Sequence, residues 1–142
     1  MLIADILKNK GTDVVTVAPS ETVAALVALL GEHRIGAVVV SSDGGTVEGI
    51  VSERDVVRGL PEHGASLLER TVADIMTSDV VTCEKKNTVA ELAASMTARR
   101  FRHMPVVEDG RLIGIVSIGD VVKARTDMLE DERDQLIGYV QQ

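Results

Sequence analysis

The sequence predicts a mixed α/β chain: two copies of a strand-helix-strand-strand-helix (β-α-β-β-α) unit, followed by an amphipathic helix. Three observations lead there. The second half of the chain repeats the first, apolar spacing within each copy alternates between strand-like runs and helical periodicity, and hairpin signals recur at matching places. Setting residues 13–43 against 79–109, and 45–60 against 110–125, makes twenty of the forty-seven pairs identical. Average composition would give about three. Upstream, Ile3-Ala4-Asp5-Ile6-Leu7 matches Val72-Ala73-Asp74-Ile75-Met76, with three extra residues before the first Asp-Val-Val-Thr.

Each copy opens on a short β-branched run, residues 14–17 in the first, which stops at Pro19. A helix follows. Val23, Leu26, Val27 and Leu30 share one helical face, and Val89, Leu92, Ala93 and Met96 repeat that spacing. Thr88 and Glu91 have the form of a capping box, which sets the helix start. Two apolar runs, 37–40 and 47–51, are joined by polar and glycine residues as in a hairpin, and Glu108-Asp109-Gly110 repeats that signal. The last helix of each copy begins just after Ser52 and Ser117. Residues 61–65, with Pro, Glu, His and Gly breaking the apolar pattern, predict an exposed linker. The expected divisions are thus 1–65, 66–126 and a tail of 127–142. In the tail, Leu129, Leu136, Ile137 and Val140 form one helical stripe, covered either by the chain's own body or by a partner. A copy of about 55 residues buries too little apolar surface alone, so the two copies are expected to share one core.

Composition narrows the function classes. Phe101 and Tyr139 are the only aromatics, so the core must come from Val, Ile, Leu, Met and Ala. A net charge of −7 leaves no general attraction for a phosphate backbone, so nucleic acid is not expected as a partner. Cys83 is the single cysteine, no Cys/His cluster has metal-ligand spacing, and no apolar run reaches the length of a membrane span. A cytoplasmic protein with no membrane association is the expectation.

The segments Gly49-Ile50-Val51-Ser52-Glu53-Arg54-Asp55-Val56-Val57, Gly114-Ile115-Val116-Ser117-Ile118-Gly119-Asp120-Val121-Val122 and Arg102-His103-Met104-Pro105-Val106-Val107 resemble the CBS (cystathionine β-synthase) domain family. The tandem arrangement is similar to the stand-alone pair called a Bateman module. The resemblance covers roughly residues 1–126. It implies two β-α-β-β-α repeats about a pseudo-twofold axis, two clefts that bind adenosine-containing ligands, and disc-like dimers.

Ser52 and Ser117 each close a strand and open a helix, where free N–H groups and the helix dipole receive phosphate. Asp55 and Asp120, three residues on, can accept hydrogen bonds from both hydroxyls of a ribose. By the resemblance, serine meets phosphate and aspartate meets ribose. The same Ser-x-x-Asp spacing is also a plain capping pattern. Arg102 and His103, with Arg99 and Arg100 just before, suggest an anion site, although Arg99 and Arg100 also suit a helix end. By the resemblance, His103 faces the phosphates. The first copy has Gly36 and Ala37 where the second has Arg102 and His103, so its smaller residues could line an adenine pocket. Val14 and Ile35 serve equally as pocket or as core. The Asp120 cleft is the stronger expectation, holding the nucleotide mainly through Ser117, Asp120, Arg102 and His103, with Pro105 nearby.

No nucleophile, base and orienting group stand at recognisable spacing, so an enzyme is not expected. The sequence-based expectation is a regulatory module binding an adenine nucleotide, AMP first, with ADP, ATP, NAD or S-adenosylmethionine as other possibilities. A homodimer is expected, with an unidentified protein target. The competing reading is a ligand-independent dimerisation or interaction module.

Overall fold

A computed structural model describes residues 1–141; Gln142, the last residue of the expected tail, lies outside the described residues. The first copy contains β1 (Thr16–Val17), α2 (Val23–His33), β2 (Ala37–Val40), β3 (Gly49–Ser52) and α3 (Glu53–His63). The second contains α5 (Val89–Arg99), β4 (His103–Glu108), β5 (Arg111–Ser117) and α6 (Ile118–Val140). Ahead of each copy stands a helix that periodicity alone did not assign: α1 (Ile3–Lys10) and α4 (Val72–Ile75).

The hairpins form as expected, with Ala37 opposite Ser52 in the first copy and His103 opposite Ser117 in the second. Strand β1 lies parallel to β2, Thr16 against Val39. Its counterpart in the second copy is reduced to a single bridge, Cys83 to Val106. Proline explains the loss. The Cys83 N–H donates to the Pro105 carbonyl at 3.0 Å, so on that edge Pro105 has no N–H to continue the ladder, whereas Val39 at the matching position does.

The structure replaces the expected single shared core with two clusters, and each borrows a helix from the other copy. Ile3, Ile6 and Leu7 of α1 pack with Val89, Leu92, Met104, Val106 and Val116 of the second copy. Val72 of α4, with Ile75 and Met76, packs with Val17, Leu26, Val38 and Val51 of the first. Main-chain bonds repeat the exchange symmetrically. The Val72 N–H donates to the Glu21 carbonyl at 2.8 Å, and the Ile3 N–H donates to the Asn87 carbonyl at 2.9 Å. That reciprocity is the pseudo-twofold relation.

Two further expectations are corrected. Residues 61–65 are exposed as expected, apart from half-buried His63, but they do not break the helical backbone: α3 runs through Pro61 to His63 and continues into a 3-10 helix, Gly64–Glu69, that buries Leu67 completely. The N–H that Pro61 lacks would have reached the Val57 carbonyl, and Val57 is exposed, so water can serve that group. Nor is the tail a separate helix. It extends α6 without a break, leaving Leu129, Leu136 and Val140 exposed at 64%, 65% and 81%, so the stripe is not folded onto its own body. No helix among the described residues is long and apolar enough to cross a membrane.

Candidate functional site

Ser52 and Ser117 stand where the capping pattern requires, at the junctions β3–α3 and β5–α6. In the first copy the Asp55 N–H donates to Ser52 Oγ at 3.4 Å, and Asp55 Oδ2 accepts from the Ser52 N–H at 2.8 Å and from Ser52 Oγ at 3.1 Å. The second copy repeats this with Ser117 and Asp120 at 3.2, 2.8 and 3.0 Å. Each serine proton is therefore directed at its own aspartate. What remains for a ligand is the following helix turn, the serine's residual lone pair and the aspartate Oδ1.

The two copies meet across two clefts. The first is a cavity of about 240 Å³. One wall carries Ala37, Ser52, Glu53, Arg54, Asp55 and Arg58 from the first copy, and the opposite wall carries Arg100, Phe101, Arg102 and His103 from the second, with Thr77 between them. Its pseudo-twofold mate, about 330 Å³, is lined by Ile115 and Ser117 on one side, Arg34, Ile35, Gly36 and Ala37 on the other, and Lys10, Asp13 and Val15. His103 lines both.

The expected set of Ser117, Asp120, Arg102 and His103 is thus divided. Arg102 lines the first cleft opposite Ser52 and Asp55 of the other copy. Ser117 lines the second cleft with Ile35 and Ala37. Asp120 lines neither, and its Oδ2 instead accepts from Lys10 Nζ at 2.7 Å. Val14 lines neither cleft while its neighbour Val15 lines the second, Ile35 both lines the second cleft and packs on the core, and Pro105 is buried within β4.

Charge distinguishes the clefts. Arg54, Arg58, Arg100 and Arg102 make no ion pair among the described residues, although Glu53 and Asp55 line the same cavity. Burial lowers the His103 imidazole below its ordinary range, and the Lys10 charge adds to this against the opposing pull of Asp120 and Glu53, so His103 is mainly neutral at neutral pH. Burial pushes the Asp120 carboxyl up, but hydrogen bonds from Lys10 and Ser117 outweigh that and hold it below the usual range.

Sequence reasoning missed Arg54, Arg58, Lys10, Thr77, Asp13 and Val15, and favoured a helix-end role for Arg100. The signal for Arg54 and Arg58 was present, since both fall within two turns of the start that Ser52 marks. Arg100 does end its helix, as a left-handed cap with φ 59°, and that turn is what aims the following residues into the cleft.

Comparison with known proteins gives a consistent answer. The sequence profile of the CBS domain matches residues 3–62 and again 72–127. The CBS domain-containing protein CBSX3, mitochondrial, of Arabidopsis thaliana is 35% identical over 147 residues, covering 98% of this chain and 71% of that protein. The crystal structure of the CBS-domain containing protein ATU1752 from Agrobacterium tumefaciens superposes with a TM-score of 0.85 at 48% identity, covering 88% of this chain and 99% of that one. The CBS domain pair of protein MJ0100, solved with 5′-methylthioadenosine and S-adenosyl-L-methionine, has the same fold at TM-score 0.80 and 24% identity, covering 90% of this chain and 98% of that one.

Proposed function

Since the chain belongs to the CBS domain family and carries the domain twice, we propose that it is a non-enzymatic regulatory module whose Ser52–Asp55 cleft takes up an adenosine nucleotide. The observation that carries this reading is the set of four arginines without carboxylate partners around that cleft. In a chain of net charge −7, a cleft whose four arginines outnumber its two carboxylates is best matched by a polyanion. The first turn of α3 adds N–H groups for phosphate, and Asp55 Oδ1 remains for a ribose hydroxyl. Burial of Cys83, which pushes its thiol up to about 11, argues against a cysteine nucleophile and suits a reducing compartment such as the cytoplasm.

The arginines also rank the ligands. ATP and ADP bring more negative charge than AMP or NAD, and S-adenosylmethionine brings a sulfonium cation. That MJ0100 was solved with adenosine-containing ligands supports the ligand class, at the level of a shared fold. A thermal-shift series with AMP, ADP, ATP, NAD and S-adenosylmethionine at equal concentration tests the ranking. A ligand at a hundred times its Kd should stabilise the fold by about 2.7 kcal/mol. The expected order places ATP and ADP first and S-adenosylmethionine last, with the ATP shift shrinking as salt rises. No shift with any of the five would reject the reading in favour of a ligand-independent interaction module.

Assembly as a homodimer through the helices belongs to the same proposal. Val27, Val57 and Leu60 on α2 and α3, and Ile118 and Val122 on α6, are exposed apolar residues on the helical faces, and the tail stripe extends the α6 set. A second copy would cover them. Light scattering should find a dimer at micromolar concentration and weaker association for a chain ending at Arg125. A full-length monomer rejects the dimer, whereas unchanged association after truncation rejects only the contribution of the tail.

A further inference from the structure

We infer that Lys10 sets the number of nucleotides the chain binds, by pairing with Asp120, the counterpart of Asp55, outside the lining of the second cleft, while Asp55 stays in the lining of the first. This rests on the nucleotide reading above. The two copies can be compared atom for atom. In the first, the Ile50 carbonyl accepts from the Thr77 main-chain N–H at 2.9 Å, and Asp55 Oδ2 accepts only from Ser52. In the second, the matching Ile115 carbonyl accepts from Lys10 Nζ at 2.9 Å, and the same ammonium donates to Asp120 Oδ2 at 2.7 Å.

The difference comes from the three extra residues before Asp13. They let α1 run eight residues where α4 runs four, and the added turn ends in Lys10. A fixed main-chain bridge in one copy is thus replaced by a charged side chain in the other. Asp120 Oδ2 then takes three donors, from Lys10, the Ser117 N–H and Ser117 Oγ, which exceeds the two lone pairs of a carboxylate oxygen. Lys10 also lines the second cleft itself, whereas Asp120, paired with it, does not. A ribose diol seeking both carboxylate oxygens finds one of them taken, whereas at Asp55 it meets no competing cation.

Calorimetric titration with ADP tests this, on chains whose circular dichroism matches the parent and which are fully folded at the titration temperature. The parent chain should bind one ADP. Lys10→Met should bind two, the second within about tenfold of the first, and Lys10→Gln, which retains a donor for the Ile115 carbonyl but no charge, should also bind two. With Asp55→Ala the parent site should weaken ten- to a hundredfold, and combining it with Lys10→Met should restore one site within about tenfold of the parental affinity. A single site in both Lys10 variants overturns the inference and leaves the nucleotide reading standing. Two sites in the parent, the second weakened by Lys10→Met, overturn it by making Lys10 a phosphate ligand. Binding that appears only once Lys10 is replaced supports the role of Lys10 and rejects the Asp55 cleft as the resident site. Absence of binding in every chain overturns both.

Discussion

Replacing Asp55 by alanine is expected to weaken ADP or ATP binding by roughly ten- to a hundredfold, with the fold preserved. Hydrogen bonds to a charged group contribute about 1.5 to 3 kcal/mol each, and alanine removes the carboxylate that a ribose would bond. The substitution also opens the capping box of α3, since Asp55 Oδ2 accepts from the Ser52 N–H at 2.8 Å. A cap of this kind is worth about 1 kcal/mol, so a modest fall in melting temperature is expected alongside the binding loss. Asp55→Asn separates the two effects, because its amide oxygen can still accept from Ser52 while the charge is gone. Calorimetry showing parental affinity in a well-folded Asp55→Ala chain would remove Asp55 from the site.

The largest effect on stability is expected from Ile3→Ala. Ile3 is completely buried, yet it lies at the start of the chain in a short helix that packs wholly on the other copy. Truncating a buried isoleucine to alanine costs about 2 to 5 kcal/mol, which is a large share of the stability of a small domain. Urea unfolding monitored by circular dichroism should show the loss, and Val72→Ala, its counterpart in α4, should show a smaller one in the same direction. A cost under about 1 kcal/mol for Ile3→Ala would mean that α1 is not docked as the structure has it.

What could be read beforehand was whatever is written in local spacing. The Thr88–Glu91 box, the starts after Ser52 and Ser117, and the two hairpins all lie within a few residues of their own signals, and all form as read. The exchange of leading helices did not show, because the pattern of Ile3, Ile6 and Leu7 says only that a face is apolar and not which copy will cover it. Pro61 and Pro105 misled in opposite ways. Pro61 reads as a break but sits in the last turn of α3, where a lost N–H costs little. Pro105 reads as a residue near the nucleotide but is buried in β4, where it removes the donor that a neighbouring strand needed. In the candidate site the residue types were legible and their grouping was not. Arg102 meets Ser52, and Asp120 meets Lys10, across the interface between copies, and no spacing within one copy encodes such a pairing.

The unbroken run of α6 gives the chain a lever. Its first turn is the one that Ser117 caps at the edge of the second cleft, and its far end stands clear of the body. Between Asp120 and Ile137 the helix has neither glycine nor proline, so no such kink interrupts that stretch. At a rise of 1.5 Å per residue its twenty-three residues extend about 34 Å, so a tilt of about 5° at the cleft carries the tip roughly 3 Å. A displacement too small to disturb the packing around Val121 and Ala124 is thereby magnified to about the width of an atom at Tyr139.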